Sequence, residues 1–293
     1  MSREIDVKEF FITESPSTSK QVLVIRKELK ESINQMIHEY RQQSRLKSHG
    51  LSNRRKILLT GSPGTGKTLT AKVLAYELKI PLHSVQLDRI VSRYMGETGT
   101  KLRQVFDFMQ DNLGVYLFDE FDSIGTKRSL DGEVGEIRRV LNSFLQFIER
   151  DTSSSILVAA TNNKELLDGA LFRRFDDVLK YENPTDEEKQ QLISNKLGSF
   201  KPADFNWEPV LKRSNELSHA EIAGACLDAI KKAILADKSK VSSDDLYKAI
   251  DQRFELPFIL SIAKLPKQVF RPKDPVDELI EFVSAKIKEV FKR

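Results

Sequence analysis

Apolar residues along this chain fall into two spacings. Ile25, Leu29, Ile33, Met36, Ile37 and Tyr40 are separated by four, four, three, one and three positions, which places them on one helical face. Leu102, Val105, Phe106 and Met109 repeat that spacing over about Thr100 to Met109. Val140, Leu141, Phe144, Leu145, Phe147 and Ile148 repeat it over Glu136 to Arg150. Between these faces stand short unbroken apolar runs, Ile57-Leu58-Leu59, Val115 to Phe118 and Ile156 to Ala160, with two further strand-length stretches, Leu82 to Leu87 after Ile80-Pro81 and a last one around Val178 to Tyr181. Such runs are too short for most helices and read as buried parallel strands, so the alternation predicts an α/β fold with a parallel sheet flanked by helices. Residues 1–20, ending in Ser15-Pro16-Ser17-Thr18-Ser19, read as a leader and linker, and 21–183 as the α/β domain.

The pattern changes at Asn183-Pro184. Thr185-Asp186-Glu187-Glu188 is a capping box, and from there to Arg253 only helical patterns occur, including Ala220 to Leu235 and Ser243 to Ile250. Residues 184–253 are therefore expected to form a small all-helical domain. Residues 254–293 form a proline-punctuated extension, in which Val276, Leu279, Ile280, Val283, Ile287, Val290 and Phe291 mark an amphipathic helix expected to dock on the body or on a neighbouring subunit.

Composition narrows the class. With 40% hydrophobic and 31% charged residues the chain has an ordinary soluble composition, and a formal charge of +4 is too small to argue for nucleic acid. The single cysteine, Cys226, excludes an internal disulfide, and its alanine-rich surroundings suggest a small buried helix residue. Acids at Glu4 and Asp6 stand where a signal peptide needs an apolar stretch, and no run of 18 apolar residues occurs. A cytoplasmic protein without a membrane partner is expected.

Chemistry enters at Gly61-Ser62-Pro63-Gly64-Thr65-Gly66-Lys67-Thr68, which fits G-x-x-x-x-G-K-[ST] and has a strand pattern before it and a helical one after it. Small residues there let successive backbone N–H groups converge on phosphate oxygens at a helix N-terminus. Lys67 adds a positive charge for the outer phosphates, and the Thr68 hydroxyl suits Mg2+. Asp119 and Glu120 follow an apolar strand, at the sheet edge where ligands of parallel sheets sit. Asp119 is placed to hold the metal through water, and Glu120 to orient and deprotonate an attacking water. Asn162, at the next strand tip, can hydrogen-bond both a water and a terminal phosphate, although a plain turn asparagine would look the same. Arg173 and Arg174 suit a solvated surface unless a neighbouring subunit brings its phosphate close. Tyr94 and Met95, before Gly96, put two bulky apolar residues on a loop tip, a liability unless something grips or covers them.

Together these segments resemble the AAA family of ATPases, within the AAA+ class, over about residues 20–253. The Walker A segment is Gly61 to Thr68, the Walker B segment Val115 to Glu120, and Ala159-Ala160-Thr161-Asn162 looks like sensor 1. Gly169 to Asp176 looks like the arginine-finger region. Leu217-Ser218-His219-Ala220-Glu221-Ile222 is similar to the lid helix start near the adenine, with His219 where the family usually has glycine. The resemblance implies ATP and Mg2+, with Ser62, Pro63, Gly64, Thr65, Gly66, Lys67, Thr68, Leu69, Asp119, His219 and Ala220 toward the nucleotide. It leaves His219 as either a nucleotide contact or an exposed helix-cap residue. Tyr94-Met95-Gly96 matches the pore loop of hexameric remodelling ATPases of the katanin and spastin type, which implies a homo-hexameric ring threading a polypeptide. Gly125 to Gly135 corresponds to the second pore loop. The resemblance leaves substrate choice to the leader, to the tail after Phe254 or to a separate adaptor, and a separately encoded peptidase is a further possible partner. Two other classes compete. A nucleic-acid loader or motor would use the basic stretches Arg41 to Lys56 and Lys286 to Arg293, against which the bulky Tyr94-Met95 pair speaks. A nucleotide-gated scaffold would not need Glu120.

Overall fold

A computed structural model describes residues 6–91, 97–121, 134–162 and 172–263, without the side chains of Gln21, 134–139 and 255–263. Tyr94, Met95 and Gly96, most of Gly125 to Gly135, Leu166 to Leu171 and the amphipathic tail lie outside the described residues. The chain divides into two compact units, one within Met1–Asn195 plus Glu216–Ala220, the other within Lys196–Asn215 plus Glu221–Arg293.

In the first unit, strands β1 (Phe11–Glu14), β2 (Lys56–Gly61), β3 (Leu82–Val85), β4 (Val115–Phe118), β5 (Ile156–Thr161) and β6 (Asp177–Tyr181) form one sheet in the order β1-β3-β4-β5-β2-β6. Every pairing is parallel except β1 with β3. The unbroken apolar runs follow from burial on both faces. Leu58, Tyr116, Phe118, Leu157 and Ala159 enter one core with α5 (Glu97–Asp111) and α6 (Val134–Arg150). Ile57, Leu59, Val115, Leu117, Ile156, Val158 and Ala160 enter the other with α1 (Lys27–Arg41) and α3 (Lys67–Leu78). Alternation between the faces is thus present, but both faces are apolar and the sequence shows a plain run.

The stretch expected as a leader contributes a strand instead. Phe11 to Glu14 pair antiparallel with Val85 to Leu82, Phe11 stacks on Phe108 at 5.0 Å, and Thr13 Oγ1 meets His83 Nδ1 at 2.9 Å. Its four residues show no period-two burial, since it is an edge strand with Ile12 about half exposed. Short helices α2 (Gln43–Ser48) and α4 (Leu87–Ile90) also went unforeseen; neither spans two full turns of apolar periodicity.

The capping box forms as expected at α7 (Asp186–Leu197): the Thr185 N–H donates to Glu188 Oε2 at 2.8 Å, and the Glu188 N–H to Thr185 Oγ1 at 3.3 Å. In the second unit α8 (Trp207–Arg213) packs on α10 (Ser243–Ala263), where Arg213 meets Asp251 at 2.6 Å. Cys226, on α9 (His219–Leu235), is fully buried, and burial pushes its thiol up to about 12, as a core position demands. No described helix is long and apolar enough to cross a membrane.

Candidate nucleotide site

The order of the strands determines which side chains meet. β5 lies between β2 and β4, so the C-terminal tips of β2, β4 and β5 are consecutive along one sheet edge. The first tip continues as the loop from Gly61 to Gly66 and then as α3, a helix of 12 residues opened by Lys67. The second carries Asp119 and Glu120, and the third Asn162.

Two glycines show why the loop needs its composition. A Cβ on Gly61 would lie 2.2 Å from the Tyr181 carbonyl oxygen, because the loop starts while β2 is still paired with β6. Gly64 sits at φ +76, and a Cβ there would lie 2.6 Å from Ser218 Oγ. The Gly64 carbonyl also accepts the Ala220 N–H at 3.0 Å. The stretch Leu217–Ala220 is thereby held against the cradle, and Ser218 is a neighbour of the site that residue-type reasoning did not single out. Its position within the matched Leu217 to Ile222 segment was the available signal.

The polar groups converge on this edge. Lys67, only 6% exposed, donates from Nζ to Gly61 O at 2.7 Å, Ser62 O at 2.9 Å and Asn162 Oδ1 at 2.8 Å. Thr68 Oγ1 donates to Asp119 Oδ2 at 2.6 Å, while Asp119 Oδ1 accepts the Glu120 N–H at 2.9 Å. The Phe121 N–H reaches Ala160 O on β5 at 2.9 Å, which fixes the turn after β4. Within that turn Glu120 is exposed and adopts φ +49, left-handed backbone that a side chain enters at a cost. Thr70 Oγ1 and the Tyr181 hydroxyl share a 2.6 Å hydrogen bond beneath the loop, and burial pushes the Tyr181 phenol up.

Both ring nitrogens of His219 are buried with no hydrogen-bond partner among the described residues, and burial pushes its pKa down to about 4. The imidazole is therefore neutral near pH 7 and is not a plain exposed cap. Arg173 is exposed on the turn before β6, and Arg174 Nε meets Glu149, at the end of α6, at 2.8 Å.

These features fit a nucleoside triphosphate with a divalent cation. The cradle has no room for side chains at Gly61 and Gly64. The buried ammonium is satisfied by neutral oxygens, and the Thr68–Asp119 pair supplies the hard oxygen donors that Mg2+ prefers. Sheet order and loop together define a P-loop nucleotide-binding domain. Residues 57–183 match the model of the ATPase family associated with various cellular activities (AAA), and the chain thus carries an AAA-family ATPase domain. An uncharacterized AAA family ATPase of Sinorhizobium fredii is 38% identical over 217 residues, 73% of this chain and 65% of that protein. A putative 26S proteasome regulatory subunit homolog of Methanothermobacter thermautotrophicus is 29% identical, covering 68% of this chain and 55% of that one. The proteasome-activating nucleotidase of Methanopyrus kandleri is 32% identical, covering 69% and 48% respectively. The chain thus spans roughly half to two-thirds of the length of these curated relatives.

Proposed function

We propose that this chain hydrolyses ATP as one subunit of a hexameric ring that remodels or unfolds polypeptides by threading them through a central pore. The observation that carries the reading is the junction of three strand tips, with Lys67 on Asn162 and Thr68 on Asp119. Each of these side chains has a role toward a bound triphosphate. Ser62 to Leu69 present the cradle, Lys67 exchanges its carbonyl partners for outer phosphate oxygens, and Thr68 and Asp119 hold the Mg2+ shell. The metal supplies charge neutralisation at the phosphates. Glu120 takes a proton from the attacking water, and Asn162 orients that water. His219, neutral and with unmatched ring nitrogens beside Ala220, faces the nucleotide. Arg173 and Arg174 serve the site of the adjacent subunit, where a guanidinium stabilises charge spread over the transferring phosphoryl group.

The polypeptide substrate and the ring rest on Tyr94-Met95-Gly96 and on the proteasome-related names of two relatives. The same names support a separately encoded peptidase as partner. A Glu120→Gln variant isolated in ATP tests the whole reading: it is expected to lose turnover, assemble as rings and retain a polypeptide. Nucleic acid in place of polypeptide would transfer the protein to the loader or motor class. Normal turnover would remove Glu120 from the chemistry.

A further inference from the structure

Helix α9 is apolar on two faces, and the fold uses one of them. Ile222, Ala225, Cys226, Ala229 and Ala233 are buried in the second unit. On an adjacent flank Ala223, Leu227, Ile230 and Ile234 follow at steps of four, three and four, the spacing of a coiled-coil seam. Leu227 is 49% exposed and Ile234 55%, with Leu235 beside them at 86%, while Ala223 and Ile230 are only partly covered. A stripe of this length and regularity is more than scattered surface hydrophobicity and has the spacing that a partner helix fits.

The other half is present in the sequence. Val276, Ile280, Val283, Ile287 and Val290 follow at steps of four, three, four and three. We infer that this C-terminal segment of the same chain docks antiparallel along the exposed stripe of α9. Charge chooses that direction, since the 4-3-4 spacing alone fits either one. Antiparallel seams set each a position against a d position, and one register does so throughout: Ala223 with Ile287, Leu227 with Val283, Ile230 with Ile280 and Ile234 with Val276. The same register brings Lys231, exposed at the flank of the stripe, opposite Asp277. It also sets the acidic start of the segment (Asp277, Glu278) level with Lys231 and Lys232, and its predominantly basic end (Lys286, Lys288 and Lys292, with Glu289) toward Glu221, while Asp228 falls beside Glu281. Asp228 keeps its own contacts to Arg253 and Lys231, so its share in this field is diffuse. A parallel arrangement would instead align the two basic halves. The connection permits the return: residues 264–275, with Pro266, Pro272 and Pro275, reach up to about 40 Å extended, against about 32 Å for retracing α10 from Ala263 to Ser243.

The test is cross-linking in the full chain with Cys226→Ala, so that only introduced thiols react. Leu227→Cys with Val283→Cys is expected to close an intrachain disulfide under mild oxidation, about ten-fold faster than Leu227→Cys with Ala285→Cys, whose second thiol faces away from the seam. Lys231→Glu should slow closure, and adding Asp277→Lys should restore it. A concentration-dependent cross-linked dimer would place the segment on a second copy and overturn the assignment; equal rates for the two pairs would overturn docking itself. A second measurement covers poor folding of the cysteine variants. Leu227→Asp/Ile234→Asp alters only exposed side chains, and it should raise tryptic cleavage at Lys286, Lys288 and Lys292 about ten-fold at unchanged helicity. An unchanged cleavage rate would refute the pairing.

Discussion

Glu120 offers a test in which stability and chemistry should move in opposite directions. Its backbone sits at φ +49, in a turn fixed by the Phe121 N–H on Ala160 O, and its side chain is exposed. Left-handed backbone costs a side-chain-bearing residue about 1–2 kcal/mol, whereas glycine enters it freely and loses about 0.5–1 kcal/mol in chain entropy. Glu120→Gly should therefore stabilise the nucleotide-free protein by roughly 0.5–1 kcal/mol, since the Asp119 Oδ1 contact is to the backbone N–H and survives. For a unit of this size that is about 1–4 °C in the melting temperature. Glu120→Gln keeps both the Cβ and the strained φ and should leave that temperature unchanged. Both variants should lose about 10²–10⁴-fold in ATP turnover, the usual contribution of a positioned general base. Calorimetry without nucleotide and a phosphate-release assay on all three proteins decide the matter. A Glu120→Gly protein less stable than Glu120→Gln would refute the strain argument, and one that still turned over ATP normally would refute the catalytic role.

Three further outcomes follow from the contacts described. Asp151 has a fully buried side chain that pairs with Arg55 and accepts the Ser153 N–H and Gln110 Nε2, each at 3.1 Å. Asp151→Ala should cost about 3 kcal/mol in urea unfolding by leaving a half-buried guanidinium with only the backbone carbonyl of residue 151, and a loss under 1 kcal/mol would show that the site relaxes. His219 has a pKa of about 4 in place of 6.5, so the unfolded chain takes up a proton that the native state refuses. That contribution is whole above about pH 6.5 and disappears on falling to about 4, by at most roughly 3 kcal/mol. Wild type should lose more stability across this window than His219→Gln, and parallel pH profiles would contradict the burial argument; His83, whose pKa is also lowered by burial, cancels in the difference. Mixing Arg173→Ala/Arg174→Ala subunits with Lys67→Ala subunits should restore up to about a quarter of the turnover, the chance that one interface draws both intact halves. No recovery at any ratio would exclude action on the neighbour's site.

The sequence was most readable where burial on two faces or a helical period left a long regular signal. β2, β4 and β5 were visible as unbroken apolar runs, and α1, α5 and α6 as faces displaced by only two or three residues at their ends. It was least readable at β1, where pairing with β3 and the stacking of Phe11 on Phe108 hold four residues that carry no period of their own. The site divides in the same way. The cradle and the acid pair follow from residue types that the chemistry restricts, so Gly61 to Thr68, Asp119 and Glu120 could be named in advance. Ser218 could not, because its part is steric and depends on Leu217–Ala220 returning to Gly64. The burial of His219 was equally invisible, since a histidine at a helix start looks the same wet or dry.

The role of Asn162 gained most from the fold. At the end of an apolar strand an asparagine is ordinarily a turn residue, and nothing in its neighbours separates that from a phosphate sensor. The sheet order removes the ambiguity about place, because β5 lies between β2 and β4 and its tip must fall between the cradle and the acid pair. Lys67 then spans the gap, holding the cradle's own carbonyls at Gly61 and Ser62 with the same ammonium that holds Asn162. A phosphate oxygen that draws Lys67 competes with these three contacts. The tip of β5 and the conformation of the loop are therefore not independent. Asn162→Ala should consequently change nucleotide affinity as well as turnover, whereas a residue that only positioned water would affect turnover alone; equilibrium binding of a non-hydrolysable ATP analogue separates the two.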